Sequence, residues 1–214
     1  MISTGIHKWG FVIYRCTYDD DELWSRYLAQ LKEFYHSHLA ENRRAELLEQ
    51  YLDWVVIEDR PTLDNASRPD IRRRFNQWVL EQDVPKLPVS LLTYRLPIQL
   101  PRFQYCIYVD KECLNTVTQF QEANDGTSLF PAHLPPMVLA IIDRTWTPDG
   151  TEDDDERGYP LIDGSDRKYV GWMYCNAFYV GVIYEDFHQG GLDDNAYHRP
   201  PSIYPRNPRT MPIC

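Results

Sequence analysis

The chain lacks most of the short signatures from which an enzyme's chemistry is read. No GxSxG nucleophile elbow, GxGxxG turn, P-loop or HExxH pair occurs in its 214 residues. Its five cysteines, Cys16, Cys106, Cys113, Cys175 and Cys214, include no CxxC pair and no metal-finger spacing. His36 and His38 stand two positions apart on a predicted helix, about 200° around its axis, so they do not readily share a metal. No apolar run reaches the ~18 residues of a membrane span. The opening MISTGIHKWG has no basic stretch leading into an apolar one. Positive charge is also short: 22 Lys and Arg against 32 Asp and Glu leave a formal charge of -10. That field repels a phosphate backbone, and the arginines of residues 60–74 read as the solvated face of a helix. These absences predict a reduced, cytoplasmic protein with no metal or other cofactor, no nucleic-acid partner and no membrane contact.

What is plentiful is large apolar side chains. Hydrophobic residues make up 43% of the chain, enough for a substantial single core, and aromatics 14%, with 15 Tyr and 6 Trp. Residues 9–38, WGFVIYRCTYDDDELWSRYLAQLKEFYHSH, hold the clearest local signal. An apolar, β-branched start predicts a buried strand, and Asp19, Asp20 and Asp21 stop it and can cap a helix. Leu23, Tyr27, Leu31, Phe34 and His38 then recur at helical spacing.

Further along, LDWVVIED (52–59) predicts a second strand. Ser67 and Asp70 form a capping-box pair with Pro69 in the first turn, and Ile71, Phe75, Trp78 and Val79 give the helix that follows an apolar stripe. Four prolines within 84–102 forbid a long helix there and leave room for a short edge strand, VSLLTYRL. FQYCIYVD (103–110) predicts a third strand and KECLNTVTQFQEA a helix capped by Asp110. PMVLAIIDRTW (136–146) is a fourth strand, and the acidic TPDGTEDDDERG after it a solvated loop. KYVGWMYC (168–175) is a fifth strand, and 176–187 fits helical spacing behind Asn176. Residues 1–188 thus read as one α+β domain and 189–214 as an extended, proline-rich tail. The element order predicts a ferredoxin-like antiparallel sheet, βαβ-α-βαβ, with an inserted helix and an appended fifth strand.

Strand parity supplies the candidate site. Phe11, Ile13 and Arg15 share one face of the first strand, and Val12, Tyr14, Cys16 and Tyr18 the other; the second and fourth strands are likewise apolar on both faces. A ferredoxin-like sheet lays its helices on one face, so the second face needs another cover or a ligand. Tyr14, Tyr108, Trp54 and Trp172 are the candidate ring walls of such a pocket. Charges gather at strand ends, where they either form an ion-pair network or handle protons. Asp143, Arg15 and Glu58 are the catalytic candidates on the second reading.

Taken together and in order, WGFVIYRCTYDDDELW, LDWVVIED, SRPDIRRRFNQWV, YCIYVDKECL and VGWMYC resemble a family of small acidic intracellular proteins from filamentous fungi, over about residues 8–186. That family has no assigned activity or established catalytic residues, so the resemblance transfers no residue role. The proline-rich tail departs from its pattern. The aromatic content, the uncovered second sheet face and the absence of cofactor motifs lead to the expectation of a cofactor-independent enzyme or binding protein for an apolar small molecule. An isomerase or cyclase of fungal specialised metabolism is the type. The competing expectation is a non-catalytic interaction module that covers the second face by forming a homodimer or by docking a partner protein.

Overall fold

The structure, a computed structural model, describes residues 7–82, 84, 97–148, 157–193 and 197–205. The first strand, β1 (Val12–Arg15), feeds helix α1 (Asp21–Glu41) through the acidic turn. Asp20 is the N-cap, accepting the Leu23 N–H at 2.8 Å, and Asp21 and Glu22 set negative charge on the first turn. Short α2 (Ala45–Leu48) turns the chain back into β2 (Val55–Ile57), and α3 (Arg60–Leu63) follows. Helix α4 (Arg68–Glu81) opens on the capping box, with Ser67 and Asp70 each satisfying the other's backbone N–H. Then come α5 (Pro101–Gln104), β3 (Tyr105–Val109), and α6 (Lys111–Asn124) with Asp110 as its cap. Strands β4 (Val138–Asp143) and β5 (Trp172–Asn176), helix α7 (Val180–Asp186) and strand β6 (Ile203–Tyr204) complete the order.

The six strands form one sheet in the order β2-β1-β3-β4-β5-β6. β1 pairs parallel with both β2 and β3, β4 runs antiparallel between β3 and β5, and β6 is parallel to β5. This is an α/β protein with a mixed, mostly parallel sheet, and the expected ferredoxin-like antiparallel sheet is wrong. The error lies in α4. It is not an insertion but a crossover, carrying the chain from β2 at the edge to β3 on the far side of β1. The first crossover runs from β1 out to β2 and the second runs back from β2 past β1 to β3, and two right-handed crossovers in opposite directions put their helices on opposite faces of the sheet. The strands carried that information in being apolar on both sides, which marks parallel strands covered twice.

Contacts assign the two faces. Phe11 meets Tyr184 of α7 at 4.8 Å between ring centres, so the face shared by Phe11, Ile13, Ile107, Ile141 and Met173 lies under α1, α6 and α7. Tyr14 meets Phe75 of α4 edge-on at 6.5 Å, so Tyr14, Tyr108, Ala140 and Tyr174 lie under α4. The second face, expected to want a lid, is therefore roofed by Ile71, Phe75 and Val79. The roof removes the premise on which the pocket and the dimer surface were placed there.

Within the tail, Leu192 is buried, Tyr197 packs edge-on against Tyr169 at 4.9 Å, and β6 extends the sheet beyond β5. The expected edge strand VSLLTYRL and the acidic run 149–156 lie outside the described residues. No helix among the described residues is long and apolar enough to cross a membrane.

Candidate functional site

The seven residues singled out from sequence do not converge. Arg15 and Glu58 meet at the carboxyl ends of β1 and β2, with Arg15 Nη1 3.8 Å from Glu58 and Nη2 paired with Asp21. The guanidinium lies over the Tyr18 ring at 4.4 Å and the Trp24 ring at 5.2 Å, and the Trp24 indole donates to Glu58 at 2.5 Å. The Arg15 side chain is only 5% exposed, so these rings and carboxylates enclose it. Asp143 is at the other end of the sheet. Arg15 pairs with Val109 and Asp143 with Tyr105, four residues apart on β3, or roughly 13 Å. Its carboxylate accepts from the Thr145 N–H at 2.7 Å, the Thr145 hydroxyl at 2.8 Å and the Tyr169 hydroxyl at 2.7 Å.

Three of the four rings share the face under α4, but they are packed, not lining a hollow. Trp172 lies beneath the Arg68 guanidinium at 3.8 Å, and the Tyr108 ring is 5.3 Å from the same group. Arg68 donates to the Tyr174 hydroxyl at 3.1 Å and stands 3.5 Å from Asp110. Burial works against its charge, yet the surrounding oxygens of Tyr174, Tyr108 and Asp110 leave its pKa above the ordinary value. Tyr14 is buried beside Phe75. Trp54 is on the opposite face, edge-on to Tyr35 at 5.0 Å.

In open α/β sheets the usual ligand crevice lies outside the carboxyl ends, where neighbouring connections diverge. Here that place is between β1 and β3, and the chain itself fills it. The Asn65 N–H donates to the Cys16 carbonyl at 3.0 Å, the Tyr108 hydroxyl donates to the Ala66 carbonyl at 3.1 Å, and Lys111 bridges to Asp19 at 2.7 Å.

A hollow exists at the amino ends instead. A pocket of about 160 Å³ opens between α2 and the last turns of α1 and α7. Trp9, Leu39, Leu48, Leu100 and Tyr184 form its apolar wall, and Lys8, His38, Arg44, Glu185 and His188 its rim. The wall is rigid. The Trp9 indole donates to the Leu48 carbonyl at 2.8 Å, and its ring packs at 5.9 Å from Tyr35 and 5.4 Å from Tyr184. Burial pushes the Tyr184 hydroxyl up to about 12, opposed by the backbone N–H groups of Gly10 and Arg102 that point at it. On the rim, Arg44 donates to Glu185 Oε1 at 2.8 Å, and His38 Nε2 faces the same oxygen at 3.4 Å. The Asn42 side-chain amide donates to the His38 carbonyl at 2.8 Å and stands 3.5 Å from His38 Nδ1.

A wider cleft of about 600 Å³ lies on the other side of Lys8, along Asp53, Trp78, Gln82, Arg102 and Phe103. Arg102, 5% exposed, is already tied to the backbone and side chain around it. It serves the carbonyls of Trp9, Gly10 and Asp53 and the Asp53 carboxylate at 2.6 Å. Among the described residues, no group of His, Cys, Asp and Glu is placed to hold a metal ion.

Of the pocket's residues, the sequence marks Trp9 at the start of the first strand, His38 and Tyr184 on helical stripes, and His188 as one of six histidines able to transfer a proton. Glu185, Arg44 and Leu48 carried no signal, because the turn that brings α2 over α1 is not encoded in any periodicity. No protein-family model, curated protein or solved structure matches this chain.

Proposed function

We propose that the chain is a binding protein for an apolar small molecule and that the pocket between α1, α2 and α7 is its site. One observation carries this: an apolar hollow, walled by rings that are themselves pinned by hydrogen bonds, with a polar rim on one side. Binding sites of this kind are mostly apolar with a few convergent polar groups. A cytoplasmic setting suits it, since Cys16, Cys106, Cys113 and Cys175 are all free and buried.

Thermal unfolding in the presence of small cyclic hydrocarbons tests it. A ligand at 100 times its Kd stabilises the folded chain by about 2.7 kcal/mol, a rise of roughly 5–10 °C in Tm for a chain of this length. Leu48→Trp, which fills the hollow, is expected to abolish the rise. No saturable shift, or an equal shift in the Leu48→Trp protein, would overturn the assignment.

A second reading, a homodimer, draws on a different surface. Leu129 and Phe130 are 57% and 49% exposed, and Phe130 packs edge-on against Phe178 at 5.1 Å, giving a protruding apolar ridge. Concentration-dependent sedimentation that disappears in Phe130→Asp would support it, and a monomer at all concentrations would remove it.

A further inference from the structure

The rim of this pocket states what kind of ligand fits, provided the pocket is a binding site at all. Its fixed charges cancel in pairs: Lys8 stands 3.4 Å from Asp53 and Arg44 2.8 Å from Glu185. A charged ligand finds its counter-ions on the rim already paired and an apolar wall around it, where an unpaired charge is costly to bury, so the pocket disfavours both acids and amines. Size narrows the choice further. A dry cavity of about 150 Å³ accommodates one benzene ring, and this pocket measures about 160 Å³.

One polar point remains open. Both His38 and Arg44 address Glu185 Oε1, and among the described residues Glu185 Oε2 has no hydrogen-bond partner. The His38–Glu185 contact, at 3.4 Å, is longer than a well-formed N–H···O bond. A ligand hydroxyl is both donor and acceptor, so at the pocket mouth it would suit both groups: it can donate to Glu185 Oε2 and pair with His38 Nε2 in either tautomer. His38 is the partly sheltered one of the two, at 13% exposed, and it faces the hollow.

We infer that the ligand is an uncharged single-ring compound bearing one hydroxyl, phenol-like or cyclohexanol-like, with Glu185 and His38 orienting it. The inference rests on the pocket being the binding site. Titrating the full 214-residue chain with toluene, phenol, benzoate and benzylammonium, followed by NMR of the leucine methyls, separates the two claims. Phenol is expected to bind about tenfold more tightly than toluene, the usual worth of one well-made hydrogen bond. Benzoate and benzylammonium are expected to bind more weakly than toluene. In His38→Leu and Glu185→Gln chains the preference for phenol over toluene should vanish, read as the ratio of the two affinities within each chain. Equal binding of toluene and phenol, or tighter binding of either ion, would overturn the ligand class and leave the pocket standing. No binding of toluene or phenol at the Leu39, Leu48 and Leu100 methyls would remove the pocket and the ligand class together.

Discussion

Gly181 lies against His38 so closely that a Cβ built at 181 falls 2.5 Å from the imidazole Cδ2. Its backbone is ordinary for a helix, so the requirement is for space and not for conformation. The missing side chain lets α7 lie on the imidazole, and the imidazole in turn forms one side of the pocket. Gly181→Ala is therefore expected to drive the ring into the hollow. Overpacking of this kind costs about 1–3 kcal/mol, read from urea unfolding. Ligand binding should weaken by more than the stability loss explains, because the displaced ring fills the site.

Arg68 and Trp172 make the second test. The guanidinium stacks on the indole at 3.8 Å and also donates to Tyr174. Arg68→Ala removes the stack and leaves Tyr174 and Asp110 without their cation. The expected loss is about 2–4 kcal/mol in chemical unfolding. Arg68→Lys should recover less than half of it, since an ammonium does not stack flat on the ring.

Two buried tyrosines predict opposite outcomes for the same substitution. The Tyr27 hydroxyl donates to the Val138 carbonyl at 2.7 Å and ties α1 to β4. The Tyr14 hydroxyl is buried with no partner among the described residues. Tyr27→Phe should cost about 1–2 kcal/mol, while Tyr14→Phe should be neutral or stabilising, because it removes a polar group that bonds to nothing. Equal losses in the two variants would contradict this placement of the side chains.

The fold was legible in its pieces more than in its plan. The caps at Asp20, Ser67 and Asp110 were written in residue type and spacing, and each is found accepting the expected N–H groups. Which strand pairs with which was not, because apolar faces on both sides mark LDWVVIED and FQYCIYVD as covered twice without naming their neighbours. The strand at Ile203–Tyr204 is too short, and too rich in neighbouring proline, to announce itself. The pocket was least visible of all. Its walls come from five separate segments whose approach depends on the loops between them, and loops carry no period.

Two surface contacts give stability a pH dependence of known sign. The Ser67 hydroxyl, aided by the Ser67 backbone N–H and Arg73, holds the Asp70 carboxyl below its ordinary value. A lowered carboxyl contributes stability above its unfolded pKa, about 4, and loses it as pH falls through the folded value. The hydrogen bond that His36 Nδ1–H donates to the Glu49 carboxylate raises the His36 pKa. A raised imidazole contributes below about 6.5 and loses its contribution as pH rises through the folded value. Urea midpoints against pH should show both slopes. Asp70→Asn is expected to flatten the acid limb and His36→Gln the limb above about pH 6.5. Salt should shrink both, since the groups are exposed.

The most direct test of the binding assignment is the position of a bound ring. A crystal of the protein soaked in 4-bromophenol locates the bromine by its anomalous scattering. One strong peak is expected among Trp9, Leu39, Leu48 and Tyr184, with the hydroxyl toward Glu185 and His38. A bromine in the wider cleft beside Arg102 and Trp78, or none inside the protein at saturating ligand, would contradict it.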